Sequence, residues 1–201
     1  MTTNSDISQP FLSKLKTKTA SSHQKLESLP VSASILSPNM VMSDYAHYLS
    51  LMHDVHSNLE QKIFPLLIDT IGDLEAREKK QLIEDDLCYL NYTKTNSNRV
   101  FTKEKVSTAF ALGIFYVVEG STLGGRFILK NLETIPGLTE EKGVSYFNGY
   151  GNKTGSYWKT FLNLLSTYEE ENNCEDEIID GAIYAFDCIH DHFLNTKKNE
   201  N

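Results

Sequence analysis

From Val106 to Leu132 the chain reads "VSTAFALGIFYVVEGSTLGGRFILKNL", an apolar run at helical spacing with four glycines inside it. A glycine in a helix interior costs about 1 kcal/mol relative to alanine. A chain that carries several must either end the helix or lay something against its backbone. At about 100° per residue, Ala109, Gly113, Tyr116, Gly120 and Gly124 fall within roughly 80° of one another, with Ser121 and Gly125 beside them. Such a small-residue stripe admits a second helix or a planar ligand, and adjacent glycines favour a kink.

The same helical period predicts an all-α fold of seven or eight helices, because alternation of the strand type hardly persists anywhere. The spacing predicts helices from about Ser8 to Leu29, from Ser43 as N-cap onward with a kink at Pro65, and over Glu75–Tyr92. It further predicts one long helix over Lys103–Leu132, then helices over Tyr157–Glu171 and Glu175–Asn195. With 201 residues and 40% hydrophobic content, residues 1–201 are expected to form one domain, with 1–7 and 196–201 as flexible ends.

In "FLSKLKTKTASSHQKLE", Leu12, Leu15, Thr19, His23 and Leu26 share one helix face, so His23 is expected on the apolar side. Lys16 stands two turns before it and Glu27 one turn after. An imidazole with a carboxylate for its second nitrogen and a cation at a distance suits an iron porphyrin. A satisfied core histidine is the plainer reading of the same residues.

Four segments taken together, "LKTKTASSHQKLE", "YVVEGSTLGGRFI", "YFNGYGNKTGSYWKTF" and "AFDCIHDHF", resemble the haem oxygenase family, and more closely its bacterial, biliverdin-producing branch. The resemblance implies a haem oxygenase-like helical fold with haem b, both cofactor and substrate, between a proximal and a kinked distal helix. It implies His23 as the iron ligand, Glu27 behind it and Lys16 on a propionate, with Lys159 a weaker second partner. Tyr116, Gly120, Ser121, Gly124 and Gly125 would line the distal side, and Phe186 and Phe193 the pocket. Gly120, Ser121 and Gly124 would be the catalytic positions. Animal members carry an aspartate where Ser121 stands and a tyrosine where Phe115 stands, so protons would travel here by Ser121, backbone groups and water. The implied reaction is O2- and electron-dependent cleavage of haem to biliverdin, CO and ferrous iron. A non-catalytic haem carrier or sensor on the same fold is the alternative.

The chain has no G-x-G-x-x-G fingerprint and no cysteine cluster, so the implied electrons come from outside, from a ferredoxin or flavoprotein reductase. A biliverdin-accepting phytochrome is a further implied partner. A formal net charge of -8 argues against nucleic acid and anionic membranes as partners. Three scattered cysteines, Cys88, Cys174 and Cys188, and an N-terminus without a signal-like pattern point to the cytoplasm. His53, His56 and Glu60 share a face, but no second ligand set matches them and they are expected between helices or in solvent. His190 and His192 point roughly 200° apart and are expected at the surface. Trp158 is expected to anchor the core.

Overall fold

The computed structural model describes residues 10–139 and 142–196, except for the side chain of Arg126. Its α-helices are α1 (Pro10–Glu27), α2 (Pro30–Ile35), α3 (Met42–Asn58), α4 (Phe64–Leu67) and α5 (Lys80–Tyr89). These are followed by α6 (Thr108–Ser121), α7 (Gly125–Leu132), α8 (Ser145–Asn148), α9 (Thr154–Asn172) and α10 (Glu175–Asn195). Among the described residues there is no strand, only an isolated bridge between Thr139 and Lys142. The all-α class read from the sequence is the class observed. The expected flexible ends 1–7 and 196–201 lie outside the described residues apart from Thr196, whose amide donates to the His192 carbonyl at 3.2 Å.

The centre is α6, which is apolar over most of its circumference and buried from Ala109 to Phe115 and from Val117 to Glu119. Ala111, Leu112 and Ile114 are fully enclosed, and Phe115 meets Phe64 edge-on at 5.8 Å and Phe161 at 5.0 Å. Helix α10 crosses α6 at Gly113 and Gly181. An ideal Cβ on Gly113 would overlap the Ile178 carbonyl oxygen and sit 2.7 Å from the Ala182 nitrogen. One on Gly181 would overlap the Phe110 carbonyl oxygen. Helix packing is thus the reason for the glycine at this end of the stripe.

The helix expected over Lys103–Leu132 is shorter and broken. It starts after Ser107, whose hydroxyl accepts from the Phe110 amide at 3.1 Å and donates to Glu177. The amides of Thr102 and Lys103 instead donate to the Tyr184 hydroxyl at 2.8 and 2.9 Å. A 3-10 turn over Thr122–Gly124 separates α6 from α7, so the kink falls at the glycines. Ser43 is not the N-cap of α3, which begins one residue earlier after Val41. The break expected at Pro65 is a π-helical turn over Leu59–Ile63 that leads into α4. Proline cannot donate the next helical hydrogen bond, and a wide turn absorbs the loss. Glu60 accepts from the amides of Lys79 and Lys80, both at 2.8 Å, and so starts α5 later than the expected Glu75.

Two buried carboxylates join distant segments. Asp86 accepts from the amides of Ser145 and Tyr146 at 2.8 and 2.9 Å and seats α8. Asp54, 0% exposed, accepts from Lys94 at 3.0 Å and Asn98 at 3.1 Å. His192 Nε2 lies 3.5 Å from the same carboxylate, so this histidine is buried against α3 and not at the surface as its spacing suggested. The burial is enforced because α10 packs on α1, α3 and α6.

Buried His56 makes the fold acid-sensitive. Its Nε2 is 3.2 Å from the Tyr146 hydroxyl, and burial, with the charges of Lys79 and His53 adding, holds its pKa down to about 3. Between that value and the ordinary 6.5 the unfolded chain binds a proton that the native state refuses, so stability falls as pH falls. His56→Gln removes this contribution. Urea melts should show the stability difference between wild type and variant shifting by about 1.4 kcal/mol per pH unit in that window, and parallel pH curves would refute the assignment.

Candidate functional site

The site begins on α1. His23 Nδ1 lies 3.3 Å from Glu27 Oε2, one turn on. The His23 ring stands edge-on to Phe186 of α10, with centroids 5.4 Å apart. The imidazole is 55% exposed, more open than an apolar-face position implies, because Phe186 is the ring that covers it while Leu15 and Thr19 on the same helix are buried. Lys16 is exposed on α1 and Lys159 on α9, and neither has an ion pair among the described residues. Phe193 is buried, but it packs edge-on to Tyr48 at 5.8 Å. The structure therefore joins His23, Glu27 and Phe186 directly and puts Phe193 in a neighbouring aromatic layer.

The glycines of the kink divide by what touches them. A Cβ on Gly120 would lie 3.3 Å from the Trp158 indole, whose ring also packs on Tyr116 at 5.4 Å. Trp158 is partly buried and serves as an anchor, as expected. A Cβ on Gly125 would lie 3.1 Å from the Phe147 carbonyl oxygen. Gly124 is exposed, and no atom lies within 4 Å of where its Cβ would be. Ser121 donates to the Val118 carbonyl at 2.7 Å and also meets the Tyr146 hydroxyl.

Sequence reasoning did not identify the charged cluster behind the kink. Glu119, immediately before Gly120, is buried between Arg77 and Tyr150: Arg77 ion-pairs with it, and the Tyr150 hydroxyl donates to it at 2.9 Å. Burial raises the Glu119 carboxyl above the usual carboxylate range, against the opposing pull of Arg77, Tyr150 and Lys79. A lone glutamate in so apolar a helix was the signal available in the sequence. His53 and His56 of α3 and Glu60 of the following π-helical turn are spread among other partners: His53 Nε2 lies 3.0 Å from Glu84, His56 meets Tyr146, and Glu60 caps α5.

This arrangement offers a half-open imidazole with a carboxylate behind it, an apolar ring at its edge, and a helix turn stripped of side chain at one point. Such features suit a flat ligand that brings its own metal.

Among known proteins, heme oxygenase PigA of Pseudomonas aeruginosa is 27% identical over 172 residues, covering 82% of this chain and 81% of the relative. The NO- and CO-bound heme oxygenase of Neisseria meningitidis superposes with a TM-score of 0.75 at 23% identity, over 94% of this chain and 96% of that one. The heme oxygenase of Leptospira interrogans superposes with a TM-score of 0.72 at 16% identity, over 94% and 100% of the two chains. No helix among the described residues is long and apolar enough to cross a membrane. The heme oxygenase family model matches residues 9–195, and the chain belongs to that family.

Proposed function

We propose that the protein is an active haem oxygenase that cleaves haem to biliverdin, CO and ferrous iron, using O2 and electrons from an external ferredoxin or flavoprotein reductase. The observation that carries this reading is the bare turn at Gly124, which is exposed with nothing within 4 Å of its missing Cβ. Binding alone does not require an uncluttered helix, whereas a small gaseous co-substrate over a ring does.

In this reading haem is the substrate, and it supplies the iron that takes up O2 and the ring that is opened. His23 would hold the iron through Nε2, the nitrogen that Glu27 does not face. Glu27, on Nδ1, fixes the tautomer and adds a modest push to the imidazole. Lys16 pairs with a propionate. Phe186 packs against the ring edge and, with Phe193 behind, keeps that side apolar. Tyr116, Gly120 and Gly125 line the distal wall, Gly124 leaves room for the gas, and Ser121 accepts or passes protons through water.

Hemin added to the pure protein should give a histidine-ligated Soret band that bleaches into a biliverdin spectrum once a reductant is supplied in air. Binding without bleaching would indicate a carrier or sensor, and absence of binding would exclude both readings. Gly124→Leu is expected to keep the apo-protein's melting temperature, because the added side chain meets open space. It should cut biliverdin formation by about tenfold or more, the effect of roughly 1.4 kcal/mol. Normal turnover in that variant would contradict the role given to the bare turn.

A further inference from the structure

Residues 92–99, after α5, have no regular secondary structure, yet they are tied down at several points. Asn91 turns the chain with a left-handed φ of 53°, and the Tyr92 amide donates back to the Leu87 carbonyl at 3.0 Å. Lys94 Nζ then reaches across to α3, where it donates to the Ser50 carbonyl at 2.9 Å and to Asp54 at 3.0 Å. Asn98 donates to the same carboxylate at 3.1 Å, and its carbonyl accepts from Asn58 at 3.2 Å. Burial opposes the charge on Asp54, but His53, Lys94 and Asn98 together hold its carboxyl down at about 2, so the loop stays tied across physiological pH.

Held in this way, the loop forms an arch. Between residues 91–97, α3 and α5 lies an open groove of about 700 Å³, a volume within the range of small-ligand sites. It shares no residue with those assigned to haem.

Two charged residues of the groove keep unspent hydrogen-bonding capacity. An ammonium carries three hydrogens, and Lys94 places two of them on Ser50 and Asp54. On the α5 side, His53 Nε2 and Lys80 Nζ both approach Oε1 of Glu84, at 3.0 and 3.3 Å. The other Glu84 oxygen has no partner among the described residues. Leu87 and Tyr92 add apolar surface, and Asn91 and Asn96 add side-chain amides.

This combination narrows the ligand. Among the described residues no three His, Cys, Asp or Glu side chains are grouped to hold a metal ion. A simple anion would face the Glu84 carboxylate, and a neutral sugar would leave both charges unmatched. A molecule with a carboxylate at one end and an ammonium at the other uses both. We propose that the groove binds a short peptide with free ends, its carboxylate on Lys94, its ammonium on Glu84, its backbone amides on Asn91 and Asn96, and an apolar side chain against Leu87 and Tyr92. This site is independent of any chemistry on haem.

The test is calorimetric titration of the whole chain with the tripeptide Ala-Leu-Ala. Saturable heat is expected, and the same peptide acetylated at one end and amidated at the other should bind at least about tenfold more weakly, because it lacks both charged ends. Glu84→Gln keeps an acceptor for His53 but removes the charge, and should weaken binding of the free peptide by about tenfold. Asn96→Trp fills the groove from an exposed loop position and should abolish binding, with a melting temperature like that of wild type. Cys88 is exposed on the groove wall, so saturating peptide should slow its alkylation by iodoacetamide, read at that residue by mass spectrometry. No saturable heat at about 10 mM peptide, equal affinity for the capped peptide, or a Cys88 that reacts as fast with peptide as without it would each overturn the proposal.

Discussion

Gly113→Ala is expected to melt below wild type, by about 6 °C. The new methyl would overlap the Ile178 carbonyl oxygen and crowd the Ala182 nitrogen. Both are backbone atoms of α10, which cannot rotate away as a side chain end can. Overpacking of this kind costs about 3 kcal/mol, more than the roughly 1 kcal/mol that alanine gains over glycine in helix propensity. For a chain of this length each kcal/mol moves the melting temperature by about 2–4 °C. Gly181→Ala strikes the same crossing from the other helix, where its methyl overlaps the Phe110 carbonyl oxygen. Once either substitution has forced the helices apart, the second should cost less, so the double variant should be less damaged than the sum of the two singles. Melting curves of the four proteins test this, and wild-type stability in either single variant would refute the contact.

His23→Ala should have the opposite profile, with an unperturbed fold and a lost ligand. The imidazole is 55% exposed, and removing a half-open surface group changes stability by no more than about 0.5 kcal/mol. Hemin affinity should fall by about 100-fold, which corresponds to about 3 kcal/mol, and the histidine-ligated Soret band should disappear. Free imidazole in the buffer should restore much of that band by occupying the vacated space. An unchanged spectrum in the variant would show that another side chain holds the iron.

These two substitutions also mark what could and could not be seen in the sequence. The small-residue stripe was legible as a stripe, but its division was not: Gly113 answers to a helix and Gly124 to open space, and both readings were open from spacing alone. Helix α10 was legible to both ends because three acidic residues open its first turn and its apolar face continues to Phe193. The starts of α5 and α8 were not, because Glu60 and Asp86 supply their N-terminal acceptors from other segments. The start of α6 was misjudged for a related reason, since Tyr184 takes the amides of Thr102 and Lys103. Within the site, His23 with Glu27 was readable as a helical i, i+4 pair. The Arg77–Glu119 pair was not, because no local pattern announces a partner from a distant segment.

The contact between His23 and Phe186 brings the order of synthesis into play. Helix α10 provides the main packing surface of both α1 and α6, so the first and central helices leave the ribosome with their largest apolar faces uncovered. They acquire their partner only when α10 has been made. Closing such non-local contacts is slow compared with forming the helices themselves. The contact between His23 and Phe186 is therefore made last, and a nascent chain stalled before α10 would carry His23 without the ring that stands beside it.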